Sequence, residues 1–114
     1  MHEVSLCYNA LELIEQQARQ HGARRVTGVW LEIGALSCIE ESALQFCFES
    51  VCRETMAEGC QLHVSVRPAQ AWCWECSQPV EVTHHDSGCP HCGSHSLRVE
   101  SGGDSLQLKQ LAVE

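Results

Sequence analysis

Residues 73–92 read CWECSQPVEVTHHDSGCPHC and hold two Cys-X-X-Cys pairs that are separated by twelve residues. Two cysteines with this spacing turn both thiolates toward one ion, and two such pairs supply the four sulfur ligands of the closed tetrahedral site that Zn²⁺ prefers. The stretch is poor in apolar residues, so burial alone contributes little to its folding. A structural zinc ion can compensate, because it contributes about 10–16 kcal/mol of apparent binding energy in small zinc domains. The sequence therefore predicts a structural zinc site formed by Cys73, Cys76, Cys89 and Cys92.

Other interpretations of the paired cysteines have less support. A redox-active dithiol of the thioredoxin type opens a helix in a βαβ unit, and the pattern contains no such unit. A catalytic zinc ion needs an open coordination position, which four cysteine ligands do not leave. A ribbon that binds nucleic acid needs basic residues, but residues 70–103 carry one basic residue against four acidic ones. The ribbon is therefore predicted to contact protein or to brace the fold.

Two helices are predicted before the ribbon. Apolar residues three and four positions apart indicate a first helix over residues 3–21, and Gly22 supplies its C-terminal stop. SCIE at residues 37–40 has the form of a capping box, which predicts that the second helix starts at Ser37. The inner face of this second helix is predicted to hold Ala43, Leu44, Cys47, Phe48 and Val51.

Three strands are predicted around these helices. VWLEI at residues 29–33 and LHVSV at residues 62–66 alternate apolar with polar residues, which is the period of a half-buried strand, and Pro68 closes the second of them. Apolar alternation resumes at residues 106–113 and shifts parity, which predicts a bulge near Lys109 or Gln110.

These elements predict an α+β fold, in which two helices cover a small three-stranded sheet and a zinc ribbon is inserted between the second and third strands. The predicted domains are residues 1–69 plus 104–114, which form an α/β domain, and residues 70–103, which form the zinc-binding ribbon.

Composition limits the function further. The chain has 114 residues, a net charge of −8 and nine cysteines. Such an acidic chain lacks the electrostatic footprint of a nucleic-acid-binding protein, and it has no apolar run of about 18 residues for a membrane. The odd number of cysteines and the absence of a signal-peptide pattern favour a reducing compartment, so we predict a cytoplasmic protein.

The remaining cysteines are predicted to be structural or incidental. Cys7 and Cys47 fall on apolar helix faces, where cysteine behaves as a small hydrophobic residue, and the other three lie at helix ends or in a loop. The sequence contains neither a hydrolase-like spacing of Ser, His and Asp nor a Gly-rich phosphate loop. Catalytic activity is therefore not predicted.

The first three residues, MHE, suit a second metal. The Met1 amine, the His2 backbone nitrogen and the His2 ring nitrogen can close fused five- and six-membered chelate rings, and a planar nitrogen set suits Ni(II) or Cu(II). On these residues alone, a simpler interpretation is a frayed residue before a helix, with Glu3 favourably placed on the helix dipole.

Several stretches together carry a family resemblance. They are MHE at residues 1–3, VWLEIG at 29–34, FCF at 46–48, AEGC at 57–60 and the paired cysteines. The whole pattern resembles the HypA/HybF family, the nickel-insertion accessory proteins of [NiFe] hydrogenase maturation. AWCW at 71–74 and GDSL at 103–106 look closer to the HybF branch.

The resemblance implies a function and its site residues. It implies that His2 is the nickel ligand with Glu3 beside it, and that the four paired cysteines bind zinc. It also implies a nickel metallochaperone that works with a GTPase of the HypB type and with the precursor of the hydrogenase large subunit. We therefore predict Ni(II) as cargo at Met1, His2 and Glu3, and Zn(II) as a structural ion.

Two alternatives remain open at this point. The chain could be a zinc-ribbon adaptor that docks proteins without physiological nickel binding. Nickel could also bind the ribbon histidines, namely His84, His85, His91 and His95. The exposed strand edges leave a homodimer open as well.

Overall fold

The computed structural model describes residues 2–84, 86–101 and 106–114, apart from the side chain of His2. The elements follow one another in the order α1 (His2–Gln20), β1 (Val26–Gly34), α2 (Glu41–Val51), β2 (Gln61–Arg67), β3 (Ala69–Cys73), β4 (Gln78–Val82), β5 (Leu97–Ser101) and β6 (Leu106–Val113).

The chain divides into two compact units. The first comprises Met1–Glu32, Ile39–Ser65 and Leu106–Glu114, and the second comprises Ile33–Cys38 and Val66–Ser105. The predicted division into a nickel-binding and a zinc-binding domain concerns function, and it stays a prediction.

The first unit contains a three-stranded sheet with the strand order β2-β1-β6, and α1 packs against both α2 and β6. The strand period predicted for β1 is confirmed, because Val29 and Leu31 are buried while Trp30 and Glu32 are half-buried. The predicted α+β arrangement of two helices and a small sheet is thus confirmed.

Helix α1 supplies much of the core of the first unit. Cys7, Leu11, Ile14 and Ala18 are buried along one face at the predicted helical spacing. The helix ends as predicted at Gly22, which has a φ of 68° and whose N–H donates to the Arg19 carbonyl at 3.0 Å.

Helix α2 begins later than predicted, so the capping box was wrong. Its first residue is Glu41, and Glu40 precedes it in an extended conformation without a side-chain cap. The physical reason is local, because Cys38 has a φ of 61° and a left-handed residue cannot continue a right-handed helix from Ser37. The Ser37 N–H instead donates to the Gly34 carbonyl at 3.0 Å, which closes a turn after β1.

The second unit is more regular than its composition suggested. It contains an antiparallel sheet with the strand order β4-β3-β5, in which Ala71 pairs with Val80 on one side and with Val99 on the other. The sequence of this unit has no sustained periodicity, so these three strands were not predicted. Strands β3 and β4, together with Leu36 and Cys89, form a small core that comprises Leu36, Ala69, Ala71, Cys73, Val80, Val82 and Cys89.

Strand β6 shows the predicted change of parity. Leu106, Leu108 and Leu111 are half-buried, with two exposed residues between the last two of them. The bulge near Lys109 or Gln110 that this parity suggests stays a prediction.

Candidate metal centres

Four cysteine side chains converge in the second unit. Their sulfur atoms all lie within 4.8 Å of one another, with 3.7 Å between Cys73 and Cys92 and 3.8 Å between Cys76 and Cys89. A regular tetrahedron with zinc–sulfur bonds of about 2.3 Å has edges of about 3.8 Å. The donor set and its spacing therefore fit a zinc ion with four thiolate ligands.

The two Cys-X-X-Cys turns share one local structure. The Ser77 N–H donates to the Cys73 carbonyl and the Gly93 N–H donates to the Cys89 carbonyl, each at 2.8 Å. Both donors have left-handed backbones, with a φ of 54° at Ser77 and 77° at Gly93. This repeated turn brings the two thiols of each pair to the same side of the chain.

Backbone N–H groups and neighbouring thiols control the protonation of the sulfurs. Burial raises the pKa of the Cys89 thiol, but the N–H groups of His91 and Cys92 outweigh that effect and lower the pKa to about 6. The pKa of Cys76 is raised to about 12, first because of the neighbouring Cys92 thiol. Thiolates this close repel one another, so a cation is needed to keep all four deprotonated. Zinc supplies that charge.

At the other end of the chain, the Glu3 carboxylate ties the first turn of α1 to the start of α2. The Glu40 N–H donates to Oε2 of Glu3 at 3.5 Å. The N–H groups of Glu3 and Glu40 hold the pKa of the Glu3 carboxyl below its usual value of 4.5. Glu3 therefore remains ionised at neutral and mildly acidic pH. Glu40 was not predicted as a partner of Glu3, because the two residues lie 37 positions apart in the sequence.

The other predicted nickel ligands cannot be located in the same way. Met1 and the side chain of His2 lie outside the residues that the structure describes. The nickel site at Met1, His2 and Glu3 therefore stays a prediction.

The ribbon histidines occupy different surroundings. His84 and His95 line one cavity of the second unit. His91 is exposed in the second Cys-X-X-Cys turn and does not line that cavity, and His85 lies outside the described residues.

Among the described residues, the cysteines outside the two turns join no further metal-binding cluster. The Cys7 thiol is fully buried and donates to the Leu44 carbonyl at 3.7 Å, and burial raises its pKa to about 11. Cys52 is also buried, and the neighbouring Cys60 thiol and burial both raise its pKa. Cys7 and Cys52 thus pack as small core residues.

Comparison with known proteins decides the family. The family model for hydrogenase and urease nickel incorporation, the metallochaperone HypA, matches residues 1–113. The chain belongs to the HypA family. The hydrogenase maturation factors HybF of Salmonella typhimurium, Escherichia coli K12 and Morganella morganii are 61%, 60% and 58% identical to it, each over the full length of both chains.

Solved HypA structures share the fold. The solution structure of the nickel metallochaperone HypA from Helicobacter pylori has a TM-score of 0.68 at 21% identity, with 97% of this chain and 96% of that chain covered. A second HypA solution structure has a TM-score of 0.70 at 23% identity, with 100% of this chain and 97% of that chain covered. At these identities the likeness concerns the fold alone.

Membership of the HypA family makes the chain a nickel-incorporation metallochaperone and a maturation factor. The family consists of such factors rather than of catalytic enzymes, and hydrogenase maturation implies contact with that maturation system. The four-cysteine cluster is compatible with structural zinc in such a protein. In the described part of the chain, neither helix has the length and apolar character that crossing a bilayer requires.

Proposed function

We propose that the chain binds Ni(II) at its amino terminus and passes it to the large subunit of a [NiFe] hydrogenase during maturation. The observation that carries this proposal is the HypA family match over residues 1–113, which includes MHE at the start of the chain. In the same proposal, zinc bound by Cys73, Cys76, Cys89 and Cys92 holds the second unit folded and takes no part in chemistry.

The chemistry of the terminus supports nickel as the cargo. The Met1 amine, the His2 backbone nitrogen and the His2 ring nitrogen offer three donors in fused rings, an arrangement that suits a planar Ni(II) ion. Glu3 adds a negative charge beside the ion. The Glu40 N–H donates to the Glu3 carboxylate, which links the first turn of α1 to the residue that precedes α2.

Delivery requires partners. The similar proteins are named hydrogenase maturation factors, which supports a hydrogenase large-subunit precursor as the recipient. A maturation GTPase of the HypB type is the partner proposed for the transfer. The cytoplasmic location and the homodimer stay predictions.

The stoichiometry of nickel tests the site. Untagged protein is expected to bind one Ni(II) per chain tightly in addition to its zinc, and His2→Ala is expected to remove this tightly bound nickel alone, because it deletes the ring nitrogen of the chelate. Metal analysis after equilibrium dialysis measures both ions. His21→Ala, which alters an exposed histidine just beyond α1, is the matched control. Tight nickel binding that survives in His2→Ala would favour the ribbon histidines as the main site, and no nickel binding at all would favour the docking adaptor.

Nickel affinity is expected to fall with pH. The ion must displace protons from the amine, whose ordinary pKa is about 7.7–8.0, from the imidazole, whose ordinary pKa is about 6.5, and from a peptide nitrogen. Protons therefore compete with nickel for these donors. Calorimetry in buffers of different ionisation enthalpy should show proton release and weaker binding at about pH 6 than at about pH 7.5. Glu3 does not titrate in this range, since its pKa lies below 4.5. Equal affinity at both pH values without proton release would contradict the terminal chelate.

A further inference from the structure

A cavity of about 140 Å³ in the second unit is separate from the four-cysteine cluster. Its polar lining consists of His84, Ser87 and His95, which belong to the loop between β4 and β5. The rest of the lining is apolar and comprises Leu36, Val82, Leu97 and Val99. Two imidazoles thus share a small, mostly apolar cavity, and neither is needed for the zinc site.

The sheet forms the apolar side of this cavity. Val82 is the last residue of β4 and is 4% exposed, and Leu97 is the first residue of β5 and packs against the same small core. An apolar surround limits the access of water to polar groups and strengthens their interaction with an ion. The two histidines are themselves exposed and lie at the edge of this apolar surface, where an ion can reach them.

Backbone hydrogen bonds fix both histidines before any ligand binds. The Ser87 N–H donates to the His84 carbonyl at 3.2 Å, and the Leu97 N–H donates to the His95 carbonyl at 2.9 Å. These hydrogen bonds hold the backbone of each histidine in place. Such preorganisation lowers the entropy that binding must overcome.

Gly88 lets the ring of His95 lie close to the loop backbone. A Cβ atom at residue 88 would lie 3.3 Å from Cε1 of His95 and only 2.6 Å from the carbonyl oxygen of Gly93. Any larger residue at position 88 would therefore force the loop to shift. The ring of His95 thus lies beside the turn that carries the second cysteine pair.

We propose that His84 and His95 form a second site for a divalent first-row transition ion such as Ni(II). Imidazole nitrogens are preferred ligands of nickel, copper and zinc. Two such nitrogens leave the other positions to water, so this site holds its ion more loosely than four thiolates or a terminal chelate would. An ion held in this way exchanges readily, which suits a waiting position for cargo. The site does not require the amino terminus.

The test uses the full chain with zinc bound. Two residues added before Met1 and the substitution His2→Gln together disable the proposed terminal chelate. NiCl₂ is the probe, and the imidazole NMR signals are the readout. Paramagnetic Ni(II) is expected to broaden the His84 and His95 signals first, while those of His21 and His63 persist. His84→Gln and His95→Gln are each expected to lower nickel affinity at least about tenfold, with one zinc per chain retained.

His91→Gln is the matched control, because His91 is an exposed ribbon histidine like His84 and His95 but does not line the cavity. It should leave nickel affinity unchanged. Equal broadening of all exposed histidines, unchanged affinity in His84→Gln and His95→Gln, or a loss in His91→Gln as large as theirs would overturn the proposal. So would a complete absence of nickel binding in the terminally blocked chain, which would leave the proposed terminal site intact.

Discussion

Cys73→Ala is expected to release the zinc ion and to unfold the second unit. Cys73 is fully buried at the end of β3, so the change removes a ligand and opens the small core around it. A structural zinc ion contributes about 10–16 kcal/mol in zinc-finger peptides, which matches or exceeds the roughly 5–15 kcal/mol total stability of an ordinary domain. Metal analysis should find less than one zinc per chain, and hydrogen exchange should lose its protection in β3, β4 and β5.

Two further variants separate the ligand from the packing. Cys92→Ser alters an exposed ligand, so any zinc loss that it causes reflects coordination and not the core. Cys38→Ala alters an exposed thiol of the same unit outside the cluster, and it should keep its zinc. A Cys73→Ala protein that retained one zinc per chain and melted at an unchanged temperature would refute the structural-zinc assignment. Nickel binding should persist in these variants where the first unit remains folded.

Two residues added before Met1 are expected to lower nickel affinity at least about a hundredfold. The extension moves the α-amine out of reach of the His2 ring and converts it to a peptide nitrogen, so the fused chelate loses a terminal donor. The His2 side chain and the zinc cluster are unchanged, and zinc content should remain at one per chain. Nickel titration by calorimetry, on a preparation with intact zinc, measures the effect.

The same two residues added after Glu114 provide the control for the extension. The Glu114 carbonyl accepts the N–H groups of Arg24 and Arg25, and a C-terminal extension preserves that oxygen. Nickel affinity should then equal that of the unmodified chain. Equal affinity in the N-terminally extended chain would instead disprove the terminal chelate and direct attention to His84, His85, His91 and His95.

The helices and strands with a sustained hydrophobic pattern could be predicted from the sequence. Cys7, Leu11, Ile14 and Ala18 mark the buried face of α1 because a helix repeats every 3.6 residues, and the alternation in β1 marks a strand in the same way. The convergence of the four paired cysteines could also be predicted from their spacing, since two residues between the cysteines suffice to form each turn.

Other features depend on information that local patterns do not carry. Strands β3, β4 and β5 have only five residues each, and small side chains such as Ala69 and Ala71 give a weak alternation. Cys38 adopts a left-handed backbone without being glycine or asparagine, so nothing signalled that α2 starts after it. The bond between Glu3 and Glu40 exists only because α1 and α2 pack together.

The two Cys-X-X-Cys turns have the same shape but differ in the conformational energy of their left-handed residue. The first places Ser77 at its left-handed position, where an L side chain is disfavoured by about 1–2 kcal/mol, whereas Gly93 fills that position in the second without penalty. The second turn therefore persists more easily without metal than the first, which carries this backbone strain. We expect zinc to be captured first by Cys89 and Cys92 as a preformed half-site, with Cys73 and Cys76 closing on it afterwards. The metal-free chain would open in the reverse order.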